Sequence, residues 1–167
     1  MFKRLKLKHD CNGIAIHQED LFVTSGSSVD QYTLDGQKVN TLYEDTWGAK
    51  NVVGVGVSPD GKKVYVTERF NGILRTLSRD GAVTANLQDP AFKTSNFIDN
   101  ILVTANGQVF VLGDDIVSQV DTEGKKVLKT IKLDISRLGS IYVNDDTSQM
   151  IVGYSGNDVI ELTINIS

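Results

Sequence analysis

SPDGKKVYVTERFNGILRTLSRDGAV, Ser58 to Val83, decides the fold. Two Asp-Gly pairs, Asp60-Gly61 and Asp80-Gly81, stand beside runs of alternating apolar residues. Asp-Gly suits tight turns and the alternation suits half-buried strands, so the stretch reads as antiparallel β structure. It is either one hairpin of an ordinary β domain or one copy of a repeat. The apolar triplets Leu21-Phe22-Val23, Val64-Tyr65-Val66, Val109-Phe110-Val111 and Met150-Ile151-Val152 decide for the repeat. They recur at steps of roughly 43, 45 and 41 residues, the spacing of propeller blades.

Each triplet sits in a shared frame. A short apolar strand precedes it (GIAIH, GVGVS, NILVT or SIYVN), joined by a turn such as Pro59-Asp60-Gly61 or Asn106-Gly107. A third strand follows (SVDQYTL, GILRTLS, DIVSQVD or DVIELTI). Asp35-Gly36, Asp80-Gly81 and Glu123-Gly124 then turn the chain into KVNTLY, AVTANL and KVLKTIKL. The expected architecture is all-β: a β-propeller of four blades, each of four antiparallel strands, over about 12–44, 53–88, 98–133 and 139–165 in a single domain.

The fourth copy has no outer strand after Ile164. FKRLKLK, Phe2 to Lys8, alternates as KVLKTIKL does and is expected to complete the last blade, giving sixteen strands and hiding the sheet edges. Within one chain this makes a monomeric four-bladed ring, favoured by the high effective concentration of an intramolecular strand. Exchanged between two chains, it makes a homodimeric eight-bladed ring. A third option is a piece of a larger propeller.

Composition narrows the function classes. The 167 residues are 40% hydrophobic and 23% charged, as in a soluble globular domain, and the net charge of −4 offers no general attraction to nucleic acid or anionic membranes. No apolar run is long enough to span a bilayer, and MFKRLKLKHD lacks the apolar stretch of a signal peptide. The single Cys11 precludes an internal disulfide and points to a reducing, cytoplasmic setting.

The second copy resembles an NHL repeat in Gly54-Val55-Gly56-Val57-Ser58-Pro59-Asp60-Gly61, Lys63-Val64-Tyr65-Val66-Thr67-Glu68 and Asn71-Gly72-Ile73. The chain is similar in this respect to the C-terminal propellers of invertebrate tripartite-motif proteins. The resemblance implies a protein-binding or RNA-binding module. It departs from the family where an Arg often follows the Asn, since Gly72 follows Asn71 and Asp158 follows Asn157. Such propellers commonly have six blades, and with one cysteine no zinc module accompanies this one.

Chain reversal at each strand collects the loops entering the inner strands and those between second and third strands on one face. Trp47, Arg69, Phe70, Phe92, Lys93, Arg137 and Tyr154 fall there. Large aromatic and Arg side chains in loops suit a protein or peptide interface, and could also stack single-stranded RNA bases. The acidic neighbours Asp45, Glu68, Asp89, Asp114, Asp115 and Asp134 weigh against phosphate. Packing between blades is the competing explanation for the aromatics.

Catalytic motifs, cofactors and metal sites are not expected. His9 and His17 are the only histidines and lack a nucleophile or metal cluster beside them. Asp114-Asp115 and Asp145-Asp146 read as turn residues, Cys11 as a small buried residue, and the Lys3-Arg4-Lys6-Lys8 strand as a solvated edge. The alternative function is a small-ligand or glycan binder, or a lactonase-like hydrolase, using the central channel. Ile14, Val55, Ile101 and Ile141 are expected to crowd that channel in a four-bladed ring.

Overall fold

The computed structural model describes residues 4–46, 48, 51–94 and 98–164, with the backbone alone at 93–94 and 98–99. Among these residues fifteen strands form four antiparallel sheets, each in sequence order. The first blade is β1 (Gly13–His17), β2 (Asp20–Thr24), β3 (Ser28–Thr33) and β4 (Lys38–Glu44). The second is β5 (Val52–Val57), β6 (Lys63–Glu68), β7 (Ile73–Ser78) and β8 (Val83–Gln88). A short helix α1 (Pro90–Thr94) leads to the third, β9 (Ile98–Val103), β10 (Val109–Gly113), β11 (Ile116–Val120) and β12 (Val127–Lys132). The fourth is β13 (Leu138–Asn144), β14 (Gln149–Tyr154) and β15 (Val159–Thr163). The fold is an all-β propeller of four blades.

The hydrophobic cores lie between blades. Strand alternation gives each blade a leading face toward the next blade and a trailing face toward the one before. On the leading faces Phe22, Tyr65 and Phe110 are 0–2% exposed on the second strands, as are Val29, Leu74 and Val117 on the third. They meet trailing-face residues of the next blade: Val55 and Leu77 at the first junction, Ile101 and Val120 at the second, Ile141 and Val143 at the third. Full burial of one such side chain contributes about 2 kcal/mol, so the junctions dominate the stability of the array. Ile14, Val55, Ile101 and Ile141 therefore belong to blade faces and do not crowd a channel as the sequence suggested.

Polar contacts repeat at the first two junctions. Arg79, in the β7–β8 turn, pairs with Asp20 at the start of β2 and lies 4.6 Å over the Phe22 ring. One blade on, Glu123 pairs with Lys63 at the start of β6, and the Tyr65 hydroxyl donates to the Thr122 carbonyl at 2.7 Å. The turn glycines make the close approach feasible. A Cβ on Gly81 would collide with the Leu42 carbonyl oxygen, and one on Gly124 with the Thr76 hydroxyl.

The expected strand over 2–8 differs from what is observed. Phe2 and Lys3 lie outside the described residues, and 4–8 carry no strand, so among the described residues the fourth blade has three strands. Leu5 packs instead against Gly36 of the first blade, with its Cδ2 atom 3.1 Å from where a Cβ would stand. β1 packs on β5, β5 on β9 and β9 on β13, but no comparable packing joins β13 to β1, and Ile14 and Ile16 on β1 and Tyr142 on β13 are 62%, 62% and 58% exposed. The four blades make an open arc. The N-terminal segment is not paired with β15 among the described residues.

Candidate functional site

The loop face is built around Asn51, which is fully buried where the chain enters β5. Its carbonyl accepts the Arg69 N–H at 2.8 Å, and its side-chain Oδ1 accepts the Phe70 N–H at 2.7 Å. Two consecutive amides of the β6–β7 loop are thus held by one residue. The adjacent β2–β3 loop is fixed by a reciprocal pair between Gly26 and Val52, at 3.1 and 2.9 Å. The outcome is an anchored loop whose tip carries Phe70, 61% exposed.

Beneath that loop lies a buried ionic cluster. Glu68 ends β6 at 1% exposure and accepts hydrogen bonds from Arg75 Nε on β7, Tyr43 Oη on β4 at 2.7 Å and Asn71 Nδ2 at 3.1 Å. Arg75 lies 5.2 Å from the centre of the Tyr43 ring and donates to Asn86 Oδ1 at 2.7 Å. Burial pushes the Glu68 carboxyl up, but the hydrogen bonds from Arg75, Tyr43 and Asn71 outweigh it and hold the group below 4.5. Tyr43 is pushed up to about 12, first by burial and then by its bond to the Glu68 carboxylate. The cluster ties the first blade to the second and neutralises an acid that would otherwise face the loops.

Other acids of this face hold backbone. Asp114 accepts the Arg137 N–H at 2.9 Å through its side chain and the Leu138 N–H at 3.1 Å through its carbonyl. Asp89 accepts the Ala91 N–H at 2.9 Å, capping α1. Asp115 pairs with Lys132 at 3.8 Å.

The residues expected to form one binding face separate into groups. Arg69 and Phe70 are adjacent on the second blade. Arg137 and Tyr154 are neighbours on the fourth, where the Ser155 N–H donates to the Arg137 carbonyl at 3.1 Å. The Tyr154 hydroxyl donates to Asp158, a bond that raises its pKa. Phe92 is 2% exposed and packs with Tyr65, Leu74 and Ile101, so it cannot meet a partner. Its blade-filling role is the one its aromatic character also allowed. Trp47 and the Lys93 side chain lie outside the described residues. Tyr43, Asn51 and Arg75 went unrecognised as parts of the site. A signal existed for Arg75, because the β6–β7 hairpin pairs Glu68 with Ile73 and places Arg75 diagonally two positions on.

Among the described residues no group of three His, Cys, Asp or Glu converges as metal ligands. Cys11, just before β1, is exposed, not buried as expected. His17 Nε2 lies 3.1 Å from the Pro59 carbonyl, filling the space over Gly61, and His9 Nε2 lies 2.6 Å from the Tyr32 hydroxyl.

Fold and junction geometry define a β-propeller. No family model and no curated protein sequence matches the chain. Solved structures do. Virginiamycin B lyase from Staphylococcus aureus superposes with a TM-score of 0.67 at 16% identity, over 92% of this chain and 55% of that one. Hydrazine synthase from Kuenenia stuttgartiensis superposes with a TM-score of 0.75 at 13% identity, over 98% of this chain and 49% of that one. The computationally designed Ika4 protein has a TM-score of 0.73 at 12% identity, over 99% of this chain and 100% of that one. The chain thus spans about half the length of the two enzymes' chains and the whole of the designed one. At these identities the likeness concerns fold alone.

Proposed function

We propose that the chain is a non-enzymatic interaction module that binds a protein or peptide through the β6–β7 loop, with Phe70 as apolar anchor and Arg69 beside it. One observation carries this reading: a large aromatic side chain 61% exposed at the tip of a loop whose Arg69 and Phe70 N–H groups both donate to buried Asn51. A rigid exposed aromatic loses little entropy on binding and supplies much of an interface's energy. Arg137 and Tyr154 form a second contact point on the same side. The resemblance to NHL repeats supports the same assignment, and RNA is the lesser candidate because the net charge is −4. We place the module in the cytoplasm on its single cysteine.

A random peptide library selected on the immobilised protein tests the proposal. Selected peptides should lose roughly 30-fold in affinity, about 2 kcal/mol, on Phe70→Ala. Peptides that bind that variant and Arg69→Glu equally well would remove this loop from consideration. Single-stranded RNA oligomers run in parallel decide between the two ligand classes.

A further inference from the structure

Both ends of the arc present a blade face with no blade against it. On the fourth blade Tyr142, Ile151 and Val159 are 58%, 40% and 67% exposed. In the repeat, Ile151 occupies the position of Phe22, Tyr65 and Phe110, and Val159 that of Val29, Leu74 and Val117, all at most 2% exposed. On the first blade Ile14 and Ile16 are each 62% exposed, whereas Val55 and Ile101, at the position of Ile14, are 6% and 7% exposed. The arc therefore carries one leading face and one trailing face in excess. These are the two halves of the same kind of junction it already builds internally.

The N-terminal segment shows how the missing junction is dressed. At the first two junctions the glycine of the third-to-fourth-strand turn meets a strand of the preceding blade, Gly81 against Leu42 and Gly124 against Thr76. The same glycine of the first blade, Gly36, meets Leu5. His9, with its Nε2 2.6 Å from Tyr32 and 3.4 Å from buried Asp30, secures the segment on that trailing face. Residues 4–8 thus lie where the outer part of a preceding blade lies elsewhere. That blade would have to lack an outer strand of its own, and among the described residues the fourth blade has only three strands. Charge agrees: Arg4, Lys6 and Lys8 on the segment, Asp158 just before β15 and Glu161 within it.

We infer that the occupant of both faces is a second copy of this chain, docked with its first blade against the fourth blade of the other and its residues 4–8 laid along β15. Two such junctions, related by a two-fold axis, close an eight-bladed ring with no exposed sheet edge. The second copy then supplies what the remaining half supplies in the longer propeller chains that this arc matches over half their length. Burying Ile14, Ile16, Tyr142, Ile151 and Val159 at each junction provides the driving force.

Light scattering on the purified chain should give twice the single-chain mass. Zero-length carbodiimide cross-linking should yield peptides joining Lys6 or Lys8 to Asp158 or Glu161 and a covalent two-chain band on a denaturing gel. Val159→Asp, at a position 67% exposed in the single chain, should retain the β-sheet circular dichroism and halve the mass. A single-chain mass at all concentrations overturns the inference. So does a double mass with cross-links confined to other surfaces, or one unchanged by Val159→Asp.

Discussion

Tyr43 and Glu68 belong to different blades, and a hydrogen bond of 2.7 Å from the tyrosine hydroxyl to the carboxylate joins them across the first junction. Arg75 completes the cluster from the other side. Replacing Glu68 by Gln leaves a partly buried guanidinium without its anion, which should cost about 3 kcal/mol in chemical denaturation at pH 7. The pH dependence has a definite sign. Folding holds the Glu68 pKa below 4.5, so the folded state binds fewer protons, and its contribution is full above 4.5 and lost as pH falls through the folded value. Glu68→Gln should therefore flatten the acid limb of the stability profile. Wild-type stability at pH 7 with an unchanged acid limb would show that the cluster does not hold the junction.

The alkaline limb reads a different pair. Tyr43 and Tyr65 are both pushed up to about 12, chiefly by burial, from 10.0 in the unfolded chain. Raised values mean that their neutral forms stabilise the fold below pH 10 and that this contribution disappears between pH 10 and 12. Tyrosinate absorbance and circular dichroism followed together should change in one cooperative step in that range. Tyr65→Phe loses its bond to the Thr122 carbonyl, about 1 kcal/mol at neutral pH, and should shift the alkaline transition upward. Two separate steps, with tyrosines ionising in an intact fold, would contradict this.

Much of this architecture is legible in the linear order of residues, because strand alternation and Asp-Gly turns are local. The triplets around Phe22, Tyr65, Phe110 and Ile151 form second strands, and the repeat period became the blade. The relation between the chain's two ends was not legible. Alternation in FKRLKLK is compatible with an outer strand, but the surface it lies on depends on whether β1 and β13 meet, and no local pattern encodes that. Phe92 and Phe70 show the same limit at the site. Both are loop aromatics in sequence, yet one is 2% and the other 61% exposed, because α1 turns Phe92 into the second junction while Asn51 holds Phe70 outward.

Glycine tolerance should follow junction geometry and not turn type. Gly81 and Gly107 both have left-handed backbones, with φ of 91° and 83°. An added methyl at Gly81 strikes the Leu42 carbonyl, whereas at Gly107 it makes ordinary contact with Pro59 at 3.7 Å. Gly107→Ala should cost about 1 kcal/mol from backbone conformation, and Gly81→Ala about 2 to 3 kcal/mol, since the blades must also separate. Thermal melts of the two variants compare them directly. Equal costs would mean that the Gly81–Leu42 approach carries no constraint.

Asn51 and Phe70 separate the stability of the site from its recognition. Phe70 is mostly in water, so Phe70→Ala should stay within about 0.5 kcal/mol of wild type while abolishing most peptide affinity. Asn51→Ala touches no partner, yet it removes the acceptor of a part-buried hydrogen bond from the Phe70 N–H and should cost about 1 to 2 kcal/mol. It should also weaken binding, because a loop with one tether instead of two loses more entropy on docking. Asn51→Asp keeps an acceptor but buries a charge, so its deficit should grow as pH rises through the carboxylate range, whereas that of Asn51→Ala should not. Calorimetric titration of a selected peptide into all three variants, with melts at two pH values, distinguishes these effects. If Asn51→Ala binds as tightly as wild type despite its lower stability, Phe70 acts without its tether and pre-organisation is not what this loop contributes.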